Sequence, residues 1–290
     1  MSMSVARHRI EGGAGVGLAA RVAGPLGAPS VLFLHGWSQH SLAFQKQLEG
    51  PLAERFRLGA IDLRGHGASD KPEDPAAYLA SPLWADDVAA AISGLQLDRP
   101  VLVGWSMGAW VAADYLRHYG DAGVAGLVLI GASARAGALA DPLGFARRAV
   151  AEAAPQPEAQ DAWIEAAIAF AKAMTAAPLS KPDLARMVAW QMLAGPVARA
   201  ACRARQDDWR ADLAAIGVPA LVIQGAAERV CPRDTHLELM KALPGGSEAV
   251  IYAGSGHMPF WEEPVRFDAD LSGLVVRAGG AEARAGGPAH

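Results

Sequence analysis

Short apolar stretches of strand length alternate with segments of helical periodicity along most of this chain, and this alternation most restricts its fold. Eight strands are predicted, over residues 5–11, 16–23, 30–34, 57–63, 100–104, 124–131, 220–224 and 248–252. Helices are predicted among them, over residues 42–55, 82–96, 107–119, 233–242 and 264–276. Such strand–helix–strand repetition predicts an α/β fold with a mostly parallel sheet and helices on both faces.

The alternation stops between residues 135 and 212, where the periodicity is helical and no convincing strand is found. Prolines divide this region into short helices, at Pro142, Pro155, Pro157, Pro178, Pro182 and Pro196. We therefore expect a core domain of residues 1–134 and 213–277, interrupted by a helical insertion of residues 135–212. The tail of residues 278–290 is rich in glycine and alanine, has no pattern and is expected to be disordered.

The composition argues against several classes of protein. Hydrophobic residues make up 52% of the chain and charged residues 19%, which is typical of a globular protein. The net charge of −4 argues against nucleic acid or an anionic membrane as a partner, because both are bound by basic surfaces. No apolar run approaches the roughly 18 residues of a membrane helix, and the N-terminal segment lacks the apolar core of a signal peptide. With only 2 cysteines, a reduced, cytoplasmic protein is expected.

One pentapeptide, Gly104-Trp105-Ser106-Met107-Gly108, fits the pattern Gly-x-Ser-x-Gly. A predicted strand runs directly into it and a predicted helix leaves it. Glycines at these positions let a strand turn sharply into a helix, which leaves the serine strained and accessible at the tip. This context favours Ser106 as a nucleophile over the alternative of a solvated serine in a tight turn.

A serine hydroxyl needs a base, and the base needs an acid that orients it. His257 follows the eighth predicted strand and Glu228 is the first carboxylate after the seventh, so both belong at the same sheet edge as Ser106. The chain order of serine, acid and histidine fits a catalytic triad on an α/β sheet. The alternative for Glu228 is a surface salt bridge to Arg229 or Arg233.

Other residues at this edge are given structural or main-chain roles. His35 and His66 also follow strands, but they lie in glycine-containing loops that they are expected to shape. An acyl-transfer site must bind the developing oxyanion with N–H groups. Met107 begins a helix, so its N–H is free to donate. Gly36 lets the loop turn inward, which makes the N–H of Trp37 the second candidate.

On these residues the chain resembles the α/β-hydrolase superfamily over nearly its full length. The matching segments are residues 35–37 (His-Gly-Trp), 62–69 (Asp-Leu-Arg-Gly-His-Gly-Ala-Ser), 104–108, 225–232 and 256–259 (Gly-His-Met-Pro). The resemblance implies an eight-stranded sheet, a helical cap formed by the insertion, and a serine hydrolase. Within the superfamily the chain is similar to cap-bearing carboxylesterases, including those that cleave pimeloyl-carrier methyl esters, and to cofactor-free haloperoxidase-type esterases.

The chain departs from the superfamily pattern in two places. Glu228 stands where an aspartate is usual, and its longer side chain requires the loop to retreat. The other acid position known in the superfamily follows Gly131 and offers no carboxylate before Asp141. Ala109 replaces a further glycine, which is expected to change only helix packing. Serine at position 106 argues against haloalkane dehalogenases and epoxide hydrolases, which use aspartate there.

Bulky apolar side chains suggest the kind of substrate. The candidates for substrate contact are Trp105, Trp163, Met187 and Trp190. Methionine adapts its shape and tryptophan offers broad apolar contact, which favours an apolar acyl or aryl group. Arginines of the insertion are expected on solvated faces, with contact to an acidic carrier protein or a substrate carboxylate as the alternative; they are Arg147, Arg148, Arg199, Arg203 and Arg205.

The leading hypothesis is a carboxylic ester hydrolase acting on a small-molecule ester, with a homodimer as a possible assembly. No metal or cofactor is expected, because the metal and phosphate-binding motifs are missing and the Gly-x-Gly-x-x-Ala pattern at residues 15–20 fits a hairpin turn. Perhydrolysis of the haloperoxidase type, lactone hydrolysis and C–C hydrolysis remain alternatives on the same residues. A ligand receptor without turnover is a further alternative.

Overall fold

Eight strands form one sheet in the computed structural model of the chain, which describes residues 4–136, 157–232 and 234–285. The strands are β1 (Ala6–Glu11), β2 (Gly17–Ala23), β3 (Ser30–Leu34), β4 (Arg57–Ile61), β5 (Val101–Trp105), β6 (Gly126–Ile130), β7 (Ala220–Gly225) and β8 (Glu248–Tyr252). Their order across the sheet is β1-β2-β4-β3-β5-β6-β7-β8. β2 is antiparallel to β1 and β4, and the other neighbouring pairs are parallel. The predicted α/β fold with a mostly parallel, eight-stranded sheet is confirmed.

The central strands are buried on both faces. Every residue of β3, β5, β6 and β7 is buried, whereas most residues of the edge strands β1 and β8 are not. Apolar strands of this kind require helices on both faces of the sheet. The carboxyl ends of β3 and β5–β8 meet at one edge, which is where ligands bind in open α/β sheets.

Helices are found at all five positions predicted in the core, although one of the predicted helices is divided. The helices of the described residues are α1 (Gln45–Leu48), α2 (Leu52–Arg55), α3 (Ala76–Leu79), α4 (Ser81–Gly94), α5 (Met107–Tyr119), α6 (Pro157–Ala173), α7 (Lys181–Met192), α8 (Pro196–Ala204), α9 (Arg210–Ala214), α10 (Thr235–Ala242), α11 (Pro259–Glu262) and α12 (Pro264–Ala285). The single helix predicted over residues 42–55 is instead a 3₁₀ turn (Ser41–Phe44) followed by α1 and α2. Gly50 and Pro51 interrupt it, because both residues disfavour a helix interior.

α12 continues to Ala285, although the sequence predicted an unstructured tail from residue 278. Residues 281–285 are alanine, glutamate and arginine, which all favour helices and outweigh the two glycines before them. Residues 286–290 lie outside the described residues.

The helices that lie wholly within the described part of the insertion are α6–α8, and a short neck attaches them to the sheet. In this neck Arg135 and Asp208 form an antiparallel bridge, and the N–H of Trp209 donates to the carbonyl oxygen of Ala134 at 2.9 Å. Both chain crossings are therefore tied together where the insertion leaves the sheet. Residues 137–156 lie outside the described residues, with Pro142, Pro155, Arg147 and Arg148 among them.

The expectation of solvated arginines is wrong for Arg199 and Arg205, which are both buried. Arg205 donates two hydrogen bonds to the carboxylate of Asp114 on α5, at 2.8 and 2.9 Å, and Trp209 donates to the same carboxylate at 2.8 Å. A buried guanidinium is tolerated only when it is paired in this way. A partner 91 residues away cannot be read from local helical spacing. Arg203 is half-buried.

Candidate active site

The candidate nucleophile occupies a strained turn between β5 and α5. Ser106 has φ 55° and ψ −120°, a conformation that non-glycine residues rarely adopt and that concentrates at functional sites. A Cβ atom on Gly108 would lie 2.0 Å from the carbonyl oxygen of Leu34, and one on Gly104 would lie 2.5 Å from the Cα of Ala109. Both glycines are therefore required by close backbone approach, as the motif predicted.

The candidate acid and base are in direct contact. Nδ1 of His257 lies 2.7 Å from Oε2 of Glu228, and both side chains are 1% exposed. The other oxygen, Oε1, accepts hydrogen bonds from the N–H groups of Val230 and Cys231 at 2.7 and 3.1 Å. Burial favours a higher pKa for the Glu228 carboxyl, but its interaction with His257 and the hydrogen bonds from Val230 and Cys231 outweigh burial and hold that pKa below its usual value. The ionised carboxylate can thus orient the imidazole.

The salt-bridge alternative for Glu228 is not what the structure contains. Glu228 is buried, and the neighbouring Arg229 donates instead to the carbonyl oxygens of Lys172 and Thr175. Arg233 lies outside the described residues. The extra methylene of glutamate is accommodated because its loop folds around the carboxylate and donates two backbone N–H groups to it.

The loop of His257 is tied to Trp105, the residue that precedes Ser106. The indole N–H of Trp105 donates to the carbonyl oxygen of His257 at 2.9 Å, and the two rings lie 5.6 Å apart. Trp105 is 1% exposed and also packs on Phe260. Its side chain therefore supports the histidine loop, while its predicted contact with substrate stays a prediction.

Gly131, at the end of β6, closes the space around the acid–base pair. Its φ is +52°, and a Cβ atom there would lie 2.8 Å from Nδ1 of His257 and 3.2 Å from Oε2 of Glu228. The sequence pattern singled out this position only as one that a carboxylate could follow. The function of Gly131 is to leave room for two side chains that are distant in sequence, and no local pattern indicates that.

We expect Gly131→Ala to lower kcat/KM for an ester by more than about 10-fold, because the added methyl group displaces the imidazole. The control is Gly120→Ala, since Gly120 also has a positive φ (+68°) but open space around it. That control is expected to lose about 1 kcal/mol of stability and keep its activity. Equal kcat/KM values for the two variants would contradict a steric role of Gly131 at the site.

The loop after β3 lies directly against the nucleophile. A Cβ atom on Gly36 would lie 3.2 Å from the Cβ of Ser106. Trp37 directly follows Gly36, and Met107 directly follows Ser106 as the first residue of α5. The role of their N–H groups as oxyanion donors stays a prediction. The indole of Trp37 reaches the insertion, where it donates to the carbonyl oxygen of Arg199 at 3.0 Å.

Two buried histidines fix this loop. Nε2 of His35 accepts from the N–H of Leu63 at 3.0 Å, and its Nδ1 lies 2.8 Å from the carbonyl oxygen of Gly36. Nε2 of His66 accepts from the N–H of Ser38 at 3.1 Å, and its Nδ1 lies 2.9 Å from a carbonyl oxygen. Since each ring has one accepting nitrogen, the other carries the proton, and both rings are neutral. The predicted loop-shaping role of these histidines is confirmed.

The two histidines give the fold a defined sensitivity to acid. Burial lowers the pKa of His35 to about 3 and that of His66 to about 4, whereas unfolded histidines titrate near 6.5. Between these values the unfolded chain binds more protons, so stability falls as the pH drops below about 6.5. We expect a loss of about 2 kcal/mol per histidine between pH 7 and pH 5, measured by urea unfolding. The His66→Gln variant should lose less unfolding free energy than wild type between pH 7 and pH 5. An unchanged pH dependence would contradict the conclusion that buried, neutral His66 causes part of the acid sensitivity.

The three predicted substrate contacts in the insertion are all buried. Trp163 lies beneath the guanidinium of Arg199, whose central carbon is 4.1 Å from the ring centroid. Trp190 packs edge-on against Trp261 at 5.9 Å, and Met187 is fully buried in the same core. Trp190 therefore packs the insertion against α11, and contact of the three residues with substrate stays a prediction.

Neither a metal centre nor a membrane span is found in the part of the chain that the structure describes. Among residues 4–136, 157–232 and 234–285, no group of three or more histidine, cysteine, aspartate or glutamate side chains is arranged to hold a metal ion. Within the same residues, no helix is long and apolar enough to cross a membrane.

A sheet of this topology, with a serine at the β5–α5 turn and a carboxylate–histidine pair after β7 and β8, defines an α/β hydrolase. The family model for the α/β-hydrolase fold matches residues 29–264, and the chain belongs to this family.

Relatives of known sequence or structure agree with this assignment. The chain is 33% identical over 244 residues to the AB hydrolase superfamily protein YisY of Bacillus subtilis, covering 80% of this chain and 86% of that protein. It is 28% identical over 249 residues to a pimeloyl-acyl-carrier-protein methyl ester esterase of Vibrio vulnificus, covering 82% and 91%. The crystal structure of the esterase RhEst1 from Rhodococcus sp. ECU1013 superposes with a TM-score of 0.82 at 31% identity, covering 95% and 99%.

Proposed function

We propose that this α/β hydrolase is a serine carboxylesterase that cleaves esters with apolar acyl or aryl groups. The observation that carries the proposal is the buried 2.7 Å contact between Glu228 and His257, beside the strained turn that presents Ser106. When one ring nitrogen of a histidine donates its proton to a carboxylate, the other ring nitrogen is unprotonated and can act as a base. The esterase names of two relatives point to the same class.

The proposed mechanism gives each of these residues one role. Nδ1 of His257 faces Glu228, so Nε2 is the nitrogen that takes the proton of Ser106 as its hydroxyl attacks the ester carbonyl. The N–H groups of Trp37 and Met107 bind the negative oxygen of the tetrahedral intermediate. The intermediate collapses to an acyl-enzyme, and the alcohol leaves with the proton held by His257. Water, activated by the same histidine, then releases the acid.

The carboxylate of Glu228 stabilises the imidazolium that forms in both steps. Its two hydrogen bonds from the backbone fix it in the ionised state, so the proton stays on His257. The alternative of a receptor without turnover depends on Glu228 being a poor replacement for the usual aspartate. A fully paired acid argues for an active hydrolase instead.

The substrate class is proposed from the insertion. Tryptophan and methionine side chains of the insertion belong to the buried hydrophobic cluster, which suits an apolar acyl or aryl group. We place a small-molecule ester as the ligand and propose no metal or cofactor for the reaction. Lactone hydrolysis, C–C bond hydrolysis and perhydrolysis would use the same nucleophile. The first two differ from ester hydrolysis in the bond that is cleaved, and perhydrolysis differs in transferring the acyl group to hydrogen peroxide.

A series of p-nitrophenyl esters of increasing acyl length tests this function. The expected result is measurable kcat/KM with an optimum at a short or medium acyl chain, exceeding the values for a lactone and for peracid formation with hydrogen peroxide. If the lactone is preferred over all the esters, the esterase proposal is wrong although the catalytic residues remain the same.

A further inference from the structure

The end of helix α6 in the insertion touches the loop that carries the candidate base. We name residues 172–177, the last turn of α6 and the residues after it, the cap joint. The N–H of His257 donates to the carbonyl oxygen of Met174 in the cap joint at 2.8 Å. A Cβ atom on Gly256 would lie 2.9 Å from the backbone nitrogen of Ala176. The histidine loop and the cap joint therefore pack backbone against backbone.

One carboxylate joins these two segments. Oε1 of Glu262 accepts hydrogen bonds from the N–H groups of Ala176 and Ala177 in the cap joint, at 2.6 and 3.3 Å. Oε2 of the same side chain accepts from the N–H of Gly256 at 2.7 Å. Gly256 directly precedes His257, so Glu262 links the cap joint to the residue next to the base.

The loop of the candidate acid is tied to the same segment. Arg229, the neighbour of Glu228, donates through Nη2 to the carbonyl oxygen of Lys172 at 3.0 Å and also to that of Thr175. Hydrogen bonds between charged and neutral groups are stronger than those between two neutral ones. The cap joint thus receives one charged anchor from the loop after β7 and one from the segment after β8.

We propose that Glu262 and Arg229 are positioning residues, which use the cap joint as a brace to hold the loops of His257 and Glu228 in register. This inference rests on the proposed esterase function. It makes the insertion part of the catalytic alignment, in addition to its contact with substrate. A small misplacement of a general base is sufficient to lower turnover strongly.

The test uses Glu262→Gln with a matched control, Glu263→Gln. The amide that replaces the Glu262 carboxylate would keep one accepting oxygen and turn an NH₂ group toward an N–H donor, which breaks one side of the link. Glu263 accepts from the hydroxyl of Ser255 in the same loop at 2.6 Å but has no hydrogen bond to the cap joint among the described residues. The control therefore loses a loop contact and keeps the brace.

The readout separates alignment from substrate binding and from folding. With p-nitrophenyl acetate, the smallest ester, we expect Glu262→Gln to lower kcat about 10-fold and change KM less than about twofold. The rate of inactivation by a fluorophosphonate, which reacts with a base-activated serine, should fall by a similar factor. Glu263→Gln should stay within about twofold of wild type in both assays.

A second variant tests whether the two anchors act through one segment. Arg229→Met alone should also lower kcat, and the double variant Glu262→Gln/Arg229→Met should lose less than the product of the two single effects. If the loss of kcat in the double variant equals the product of the two single losses, the proposal that Glu262 and Arg229 act through one segment is wrong. An unchanged kcat in Glu262→Gln, or an equal loss in Glu263→Gln, would overturn the role of Glu262. A Ser106→Ala variant assayed in parallel keeps these outcomes distinct, because its full activity would overturn the esterase function itself.

Discussion

Replacing Ser106 by alanine is expected to lower kcat/KM for p-nitrophenyl esters by at least about 10⁴-fold. The variant keeps the oxyanion donors and the acid–base pair, but it has no atom that can form the acyl-enzyme. Residual activity would then come from water attacking within the site, which is a small fraction of the wild-type rate.

The control for this variant is Ser133→Ala. Ser133 is also a buried serine beyond the end of a central strand, and its hydroxyl accepts a hydrogen bond from the N–H of Arg135 at 3.2 Å. That variant should keep its kcat/KM within a few-fold of wild type. Thermal unfolding of both variants checks that the fold is intact, and an active Ser106→Ala protein would contradict the mechanism.

Replacing Glu228 by glutamine is expected to lower kcat/KM by about 10³- to 10⁴-fold with little change in KM. If the amide oxygen keeps the hydrogen bonds from Val230 and Cys231, the NH₂ group faces Nδ1 of His257. The imidazole must then place its proton on Nε2 and cannot accept the proton of the serine. The loss of kcat/KM is therefore caused by the wrong tautomer of His257 and not by a missing hydrogen bond.

Two further variants test whether the effect on kcat/KM is specific to the carboxylate of Glu228. Glu228→Asp keeps the charge but shortens the side chain by one methylene, so it cannot span both the backbone N–H groups and the histidine. It should lie between wild type and the glutamine variant. Glu238→Gln removes a surface carboxylate that pairs with Arg135 and should leave kcat/KM unchanged. A loss of less than about 10-fold in Glu228→Gln would contradict Glu228 as the orienting acid.

Features that depend on residues close together in the chain could be predicted from the sequence. The strand-to-helix turn at Ser106 was predictable because its glycines, the preceding apolar strand and the following helix lie next to one another in the chain. The placement of Glu228 and His257 at the sheet edge that also carries Ser106 followed from a topological rule, since the carboxyl ends of parallel strands share one edge.

Features that depend on residues far apart in the chain could not be predicted from the sequence. Burial of Arg205 requires Asp114, and the tie between the histidine loop and the insertion requires Glu262 to meet backbone groups 85 and 86 residues away. The tight packing at Gly131 involves two side chains that follow later strands. Each of these contacts depends on how the insertion and the strand ends pack in three dimensions, which one sequence does not specify locally.

The most direct test of the central claim is the mass of the intact protein after rapid mixing with a slowly hydrolysed ester, followed by acid quenching. The account requires one acyl group per chain, mapped by peptide sequencing to Ser106 and missing from Ser106→Ala. Turnover of the ester with no covalent adduct, or with an adduct on another residue, would contradict the proposal that Ser106 is the nucleophile.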